Sequence, residues 1–266
     1  MGELRIYAHL VRATVRAQAQ YRLSFVLDVV GTSLAVSLDL LAVLVFFRVA
    51  RSLAGFPLRQ AFLMASLATF GFATADLVAG NVERLRFNVR TGWLDALLVR
   101  PLGLLPQLLA GDFGFRWIGR VAQAGVAYAI ALGYAHLAWN PARAALVVVA
   151  PLAAAVFFSA LFVAGGTVAF WWIESGEFAN GFTYGGRDFT NYPMTVYSGL
   201  FRRLFGYSLG FAFVAYYPGL ALLGRPDPLH GPAWLGWCSP LVAGLAALVA
   251  AAIWRFGVRH YRSTGS

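Results

Sequence analysis

The sequence predicts an all-α integral membrane protein with six transmembrane helices. Three observations carry this reading. Hydrophobic residues make up 60% of the 266 residues and charged residues 12%, with a mean hydropathy of +0.68. A soluble domain carries about 25% charged residues. The apolar residues gather into about six runs, each long enough to cross the ~30 Å hydrocarbon layer. The positive charge is entirely arginine, 21 residues with no lysine, and it concentrates in alternate interludes between those runs. At this length no room remains for a separate soluble domain, so residues 1–266 read as one membrane domain.

Residues 1–22 place Leu4, Ala8, Val11 and Val15 on one helical face and Arg5, His9, Arg12 and Arg16 on another. That pattern predicts a basic amphipathic helix lying in the membrane interface. The apolar run that follows is too long for the ~7–15-residue core of a signal peptide. The first span is expected over about 24–47 and contains Asp28 and Asp39. A charge at the depth of Asp39 costs at least about 2.5–3.5 kcal/mol. Asp39 therefore faces protein or water, or is protonated, either as a helix–helix contact or as part of a transport path. The loop 48–59 carries Arg48, Arg51 and Arg59, and the second span follows over about 60–81 with Asp76 near its inner end.

The stretch Val82–Pro101, VERLRFNVRTGWLDALLVRP, is the longest charged interlude between two apolar segments. A helix–helix connection needs only about two to eight residues, so this one has another use. Read as a helix, it places Arg84, Asn88, Thr91 and Asp95 on a polar face and Leu85, Val89, Trp93 and Ala96 on an apolar one. Arg86 and Arg90 flank the apolar face within reach of lipid phosphates, and Gly92 is the point where the helix is expected to break. The stretch suits both an interfacial helix and a docking handle for a cytosolic partner.

Gly103, Pro106 and Gly111 punctuate the next short apolar segment. Further spans are expected at about 113–137 and, after the turn signal Trp139-Asn140-Pro141, at 144–173. Within the latter, Gly165-Gly166 permits a kink or a close neighbour. The Gly-, Asn- and Asp-rich residues 174–195 read as loop. The fifth span, about 204–223, collects Phe211, Phe213, Tyr216 and Tyr217, and Pro218 is expected to bend it. A Pro- and Gly-rich loop precedes the sixth span at about 240–256.

Orientation follows from arginine asymmetry. With the N-terminus inside, sixteen arginines are cytoplasmic and five, Arg48, Arg51, Arg59, Arg143 and Arg225, are external. The bias puts both termini in the cytoplasm, with the loop 48–59 as its exception. Such a basic chain is thus explained by membrane anchoring, with no nucleic-acid partner. A chain without lysine cannot carry the lysine-bearing phosphate loop of an ATPase. His9, His136, His230 and His260 lie in separate segments, with no HExxH or CxxC pattern to hold a metal. Neither a nucleophile elbow nor a paired aspartate stands out, and Cys238, the single cysteine, cannot form an intrachain disulfide.

The run Gly92-Trp93-Leu94-Asp95-Ala96-Leu97-Leu98-Val99-Arg100-Pro101 resembles the G-x-L-D-x-L-L-x-[RK]-P signature of permease subunits of type 2 ABC exporters. It is most similar to a bacterial branch of paired permeases. The stretch Tyr192-Pro193-Met194 through Arg202-Arg203 to Phe213-Val214-Ala215-Tyr216-Tyr217-Pro218, and the terminal Tyr261-Arg262-Ser263-Thr264-Gly265, fit the same branch. Trp93 stands where a small or hydroxyl residue is common. The resemblance implies residues 1–22 as an elbow helix and 82–101 as a coupling helix that docks on a cytosolic P-loop ATPase through Arg84, Arg90, Thr91, Gly92, Trp93, Leu94 and Asp95. It implies two ATPase copies binding ATP and Mg, no cofactor in this chain, and a second, identical or related permease. The membrane would be the bacterial inner membrane. Asp39, Phe211, Phe213, Tyr216 and Tyr217 would line a path for an amphiphilic, drug-like or lipid-like cargo. Two other classes compete: a stand-alone membrane enzyme acting on lipid, and a proton-coupled carrier using Asp39.

Overall fold

The computed structural model describes residues 52–110 and 115–261, and within the first span Leu27, Val30, Gly31, Leu34, Ser37, Leu38, Leu41 and Val45. Asp39 and the expected amphipathic helix at 1–22 lie outside the described residues. The described positions of the first span are helical, and Leu27, Leu34, Leu38 and Val45 turn an apolar stripe outward. Ser37 on the same helix accepts a hydrogen bond from Gln123 Nε2 at 2.8 Å.

Helix α1, Leu58–Ala79, starts after an extended Pro57 and sits at the centre, with Leu63, Leu67, Phe72 and Ala75 buried. A 3₁₀ turn, Gly80–Arg84, carries it without a chain break into α2, Leu85–Arg90; α3, Trp93–Leu98, and α4, Leu104–Ala110, follow. Helix α5 spans Phe115–Tyr134. Helix α6, Pro141–Thr167, is started by Asn140, whose side chain accepts from the Arg143 backbone N–H at 2.8 Å, and by proline in the first turn. Helix α7 spans Gly176–Thr190, α8 Tyr216–Leu223 and α9 Ser239–His260.

Small residues set how closely these helices approach. A Cβ on Gly71 of α1 would lie 2.4 Å from Ala154 Cβ of α6, so the two helices cross in direct backbone proximity. Lipid tails are as apolar as leucine, so close packing of small residues drives helix association in a bilayer. Next to this crossing, the Phe72 ring meets Phe158 and Phe162 at 5.1 and 5.6 Å between centroids. Helix α9 packs on α6 and leaves Leu241, Leu245, Leu248 and Val249 exposed, an apolar outer flank.

Three helical runs among the described residues are long and apolar enough to cross a membrane: Leu58–Arg90, Pro141–Phe170 and Ser239–His260. The fifth expected span is not one straight helix. The expected stretch is a bent pair, Gly199–Ser208 and Phe211–Leu223, at 62° to each other. Thr195 before it and Arg225 after it both hydrogen-bond to the Ala54–Gly55 turn ahead of α1, so the pair enters and leaves at the same end of the bundle and does not cross it. The break lies at Gly210, whose φ of +87° is open to glycine at little cost, and Arg202–Ser208 is π-helical. Residues 174–195 differ more. They are expected as loop, yet α7 fills most of this range, and two of its glycines, Gly176 and Gly186, sit under Arg86 and Phe211. A Cβ on Gly186 would fall 2.4 Å from the Phe211 ring.

One buried ion pair ties α1 to α5: Arg120 Nη1 lies 2.5 Å from Asp76 Oδ2, and the Asp76 side chain is almost wholly buried. Arg120 also lies over the Trp117 ring at 4.8 Å. Removing one partner of a buried pair costs about 3–5 kcal/mol, because the other charge is left uncompensated. Arg120→Ala should therefore lower the thermal unfolding midpoint in detergent sharply, and the double variant Asp76→Leu, Arg120→Met should recover much of the loss.

Candidate functional site: a docking hairpin

The arginine-rich interlude folds as a hairpin at the end of α1. Gly92, at φ +69°, separates α2 from α3 and resets the helical register. Gly92 N–H donates to Val89 O, and Thr91 Oγ1 donates to Phe87 O at 2.9 Å, closing the turn. The break at Gly92 was expected; its effect on the faces was not. Across a continuous helix Trp93 and Ala96 would share the apolar face of Leu85 and Val89. Instead Leu85, Val89, Leu94 and Leu97 are buried together, while Trp93 and Ala96 turn outward. Asn88, expected on the solvent face, is buried.

A second hydrophobic cluster fixes the hairpin to the bundle. Val82, Leu85, Val89, Leu94 and Leu97 join Leu104 and Leu108 of α4, Ala169 at the end of α6, and Trp254 of α9. Gln107 Nε2 donates to both Leu97 O and Leu102 O, at 3.0 and 2.9 Å. Gly166 of α6 sits on Val82; a Cβ there would lie 2.7 Å from Val82 Cγ1. The Tyr261 hydroxyl, just past α9, donates to Asp95 Oδ1 at 3.0 Å. The hairpin is thus clamped by α1, α4, α6 and the end of α9.

The seven residues expected to dock a partner separate into two groups. Arg84, Arg90 and Thr91 are exposed, Trp93 is half exposed, and Gly92 supplies the turn. Leu94 is fully buried, and Asp95, partly exposed, accepts from Tyr261, so these two help hold the hairpin in place. Sequence reasoning missed Phe87, which is 62% exposed. Its signal was an aromatic residue out of phase with Leu85 and Val89. Phe87, Trp93, Arg84 and Thr91 line a cleft of about 430 Å³ with Asn81 and Asn88. Both flanking arginines are exposed; Arg90 pairs with Glu174 at 3.4 Å in a surface contact, and the Arg86 guanidinium lies over Gly176.

The residues expected along a transport path lie elsewhere. Phe211, Tyr216 and Tyr217 are buried in the main core, with Phe211 against Phe157 and Tyr216 against Phe56, while Phe213 is partly exposed beside Tyr217. Tyr217 also lines a cavity at the end of the bundle away from the hairpin. A different aromatic strip is outward. Phe178 and Phe182 of α7 are 52% and 37% exposed, and the ladder continues through Phe205 and Phe201 at centroid distances of 5.1, 6.3 and 4.6 Å.

The family model described as ABC-2 family transporter protein matches residues 34–265. The chain belongs to this family. Comparison with curated proteins and with solved structures gives no significant match. An ABC-2 permease is a multi-pass transport subunit and not the catalytic one, and it works with an ABC ATPase. Of the permease's exposed segments, the hairpin combines aromatic, cationic and cleft features at one end of the bundle.

Burial raises the Tyr261 phenol to about 12, and the hydrogen bond to Asp95 adds to the shift. A raised folded-state pKa means that this contact contributes fully below the ordinary tyrosine range near 10 and is lost as pH rises through about 12. The ultraviolet difference titration between wild type and Tyr261→Phe should show one tyrosinate forming about two units above the free phenol. Amide exchange over residues 93–98 should speed up in Tyr261→Phe.

Proposed function

We propose that this ABC-2 permease serves an ATP-driven exporter of the bacterial inner membrane, pairing with an identical or related permease to carry an amphiphilic, drug-like or lipid-like cargo. ATP and Mg bind the separate cytosolic ATPase subunits, two per transporter. The observation that carries the reading is the clamped hairpin at Gly80–Leu98, with Phe87 and Trp93 exposed beside Arg84 and Thr91 around a cleft. Exposed aromatics flanked by arginine are the composition of protein-interface hot spots. A rigid base matters as much as the contact, because a pushed hairpin transmits displacement only if it does not fold away from the bundle.

The cleft takes a side chain or helix end from the ATPase, with Trp93 and Phe87 as its apolar walls. Tilting the hairpin then tilts α1, which continues directly from it. On the transport side, the outward strip of Phe178, Phe182, Phe205 and Phe201 offers an aromatic wall against which an amphiphile slides. A lipid-modifying enzyme or a proton carrier would not need this clamped, aromatic-edged hairpin.

Two measurements test the reading. Trp93→Ala should reduce ATPase co-purification from native membranes in mild detergent by about thirtyfold or more, the loss that ~2 kcal/mol of a hot-spot aromatic gives. Co-purification at wild-type level would remove Trp93 from the interface, and an ATPase absent even from the wild type after cross-linking in the membrane would sink the exporter assignment. For the path, Phe182→Cys in a Cys238→Ser background should react with a water-soluble maleimide in intact vesicles. Protection from that reagent with reaction by a lipid-soluble one would assign the strip to lipid instead.

A further inference from the structure

The end of the bundle away from the hairpin holds a second cavity, of about 440 Å³, between the start of α6, the end of α8 and the segment before α9. Helix α1 begins at this end and reaches the hairpin after 22 residues, or roughly 33 Å at ~1.5 Å per residue. That is about the thickness of the hydrocarbon layer. The cavity and the hairpin therefore lie at opposite membrane faces.

Two arginines line the cavity, Arg143 and Arg225, and neither has a carboxylate partner among the described residues. Each is nevertheless held. Arg143 Nη1 donates to Ala138 O at 2.6 Å, and its other terminal nitrogen lies over Gly224, where a Cβ would come within 2.1 Å of it. Gly224 has φ +63°, so the chain turns there in a conformation that leaves the guanidinium its place. Arg225 donates to Gln60 Oε1 and to Gly55 O, and lies over the Phe56 ring at 4.2 Å. A guanidinium has five N–H donors, so both arginines keep donors unspent on protein acceptors.

The one carboxylate in the lining, Asp227, is already occupied. Its Oδ1 accepts from the Tyr216 hydroxyl at 2.5 Å and from Leu229 N–H at 2.9 Å, and its Oδ2 accepts from Gly231 N–H at 3.1 Å. These bonds fold the 227–231 loop and occupy both carboxylate oxygens. The cavity keeps a net positive lining, with apolar Leu220 and Ala221 beneath and the exposed Trp237 at its edge. Tryptophan at this depth marks the headgroup level of a bilayer.

We infer that this cavity is a phosphate-anion site, in which Arg143 and Arg225 hold the phosphomonoester of a lipid headgroup or a free phosphate in the leaflet opposite the hairpin. Forked guanidinium donors match phosphate oxygens, and two such groups around one cavity favour a dianion. The inference stands apart from the exporter assignment, since it uses no residue of the hairpin and no ATPase.

The test uses the full-length chain in mild detergent with native mass spectrometry. The probes are dioleoyl phosphatidic acid and dioleoylglycerol, which share tails and differ by the phosphate. Wild type should form a one-to-one adduct with phosphatidic acid and not with dioleoylglycerol. Arg143→Gln should weaken that adduct about tenfold and Arg143→Lys only partly, since lysine keeps the charge but not the fork. Ala233→Glu leaves both arginines and their hydrogen bonds intact but sets a carboxylate at the exposed rim; it should weaken the adduct comparably and covers the case in which Arg143→Gln fails to fold. Competition by millimolar inorganic phosphate would identify free phosphate as an occupant, and its failure to compete would assign the site to the lipid headgroup. Equal retention of phosphatidic acid by wild type and Ala233→Glu, or equal binding of the two lipids by wild type, would overturn the inference.

Discussion

The crossing of α1 and α6 at Gly71 and Ala154 is the constraint on which the rest of the molecule depends. A bilayer offers little hydrophobic drive for helices to associate, so the gain comes from packing that larger side chains would prevent. Once α1 and α6 are this close, the rings of Phe72, Phe158 and Phe162 fill the space beside the crossing. The same two helices meet again at Gly166 and Val82, where α1 passes into the hairpin. The close approach therefore sets the angle at which the hairpin leaves the bundle. The Asp76–Arg120 pair adds α5 to this frame. Its cost of burial is offset only while the frame keeps both charges within reach of each other.

The hairpin shows how one residue decides a surface. Leu94 and Leu97 can join Leu85 and Val89 below the hairpin only because Gly92 turns the chain through a left-handed conformation. With that turn made, Trp93 points away from the cluster and stands beside Phe87. An unbroken helix through 85–98 would bury the tryptophan and leave an arginine-rich, mostly polar outer face. The glycine thus converts an amphipathic helix into an anchored hairpin with an aromatic edge. Asp95, which resembles a docking residue by its place in the motif, instead receives Tyr261 and ties the hairpin to the end of α9.

Much of the architecture was legible because apolar runs of bilayer length have few alternative uses. The expected second, fourth and sixth spans match α1, α6 and α9 within a few residues at most boundaries. The hairpin's existence and its break were legible from charge and from Gly92. The errors came where helical period was assumed to run through a glycine, or glycine was taken to end a helix. Residues 174–195 looked like loop because Gly176, Gly181, Gly185 and Gly186 lower helix propensity. Tertiary contact overrode that tendency where Arg86 packs on Gly176 and Phe211 on Gly186. Composition does not say which way the rings of Phe211, Tyr216 and Tyr217 point, so their burial was not legible. The bend at Gly210 turns these rings into the core.

Helix α1 connects the two ends of the molecule physically. The run Leu58–Arg90 is helical over 33 residues, about 50 Å at ~1.5 Å per residue, so it crosses the membrane and extends beyond it. At one end it carries the hairpin. At the other, Arg225 binds Gln60 in its first turn and Gly55 just before it. A rigid helix held at both ends cannot tilt at the hairpin without moving its far end. The contacts that yield are then the ones made by single side chains, because the interface along Gly71 and Ala154 has no slack to give. Arg225 is such a contact, and it also lines the cavity it shares with Arg143. An anion held between these two arginines stiffens the end of α1 opposite the hairpin, so the occupancy of that cavity and the movement of the hairpin act on one and the same helix.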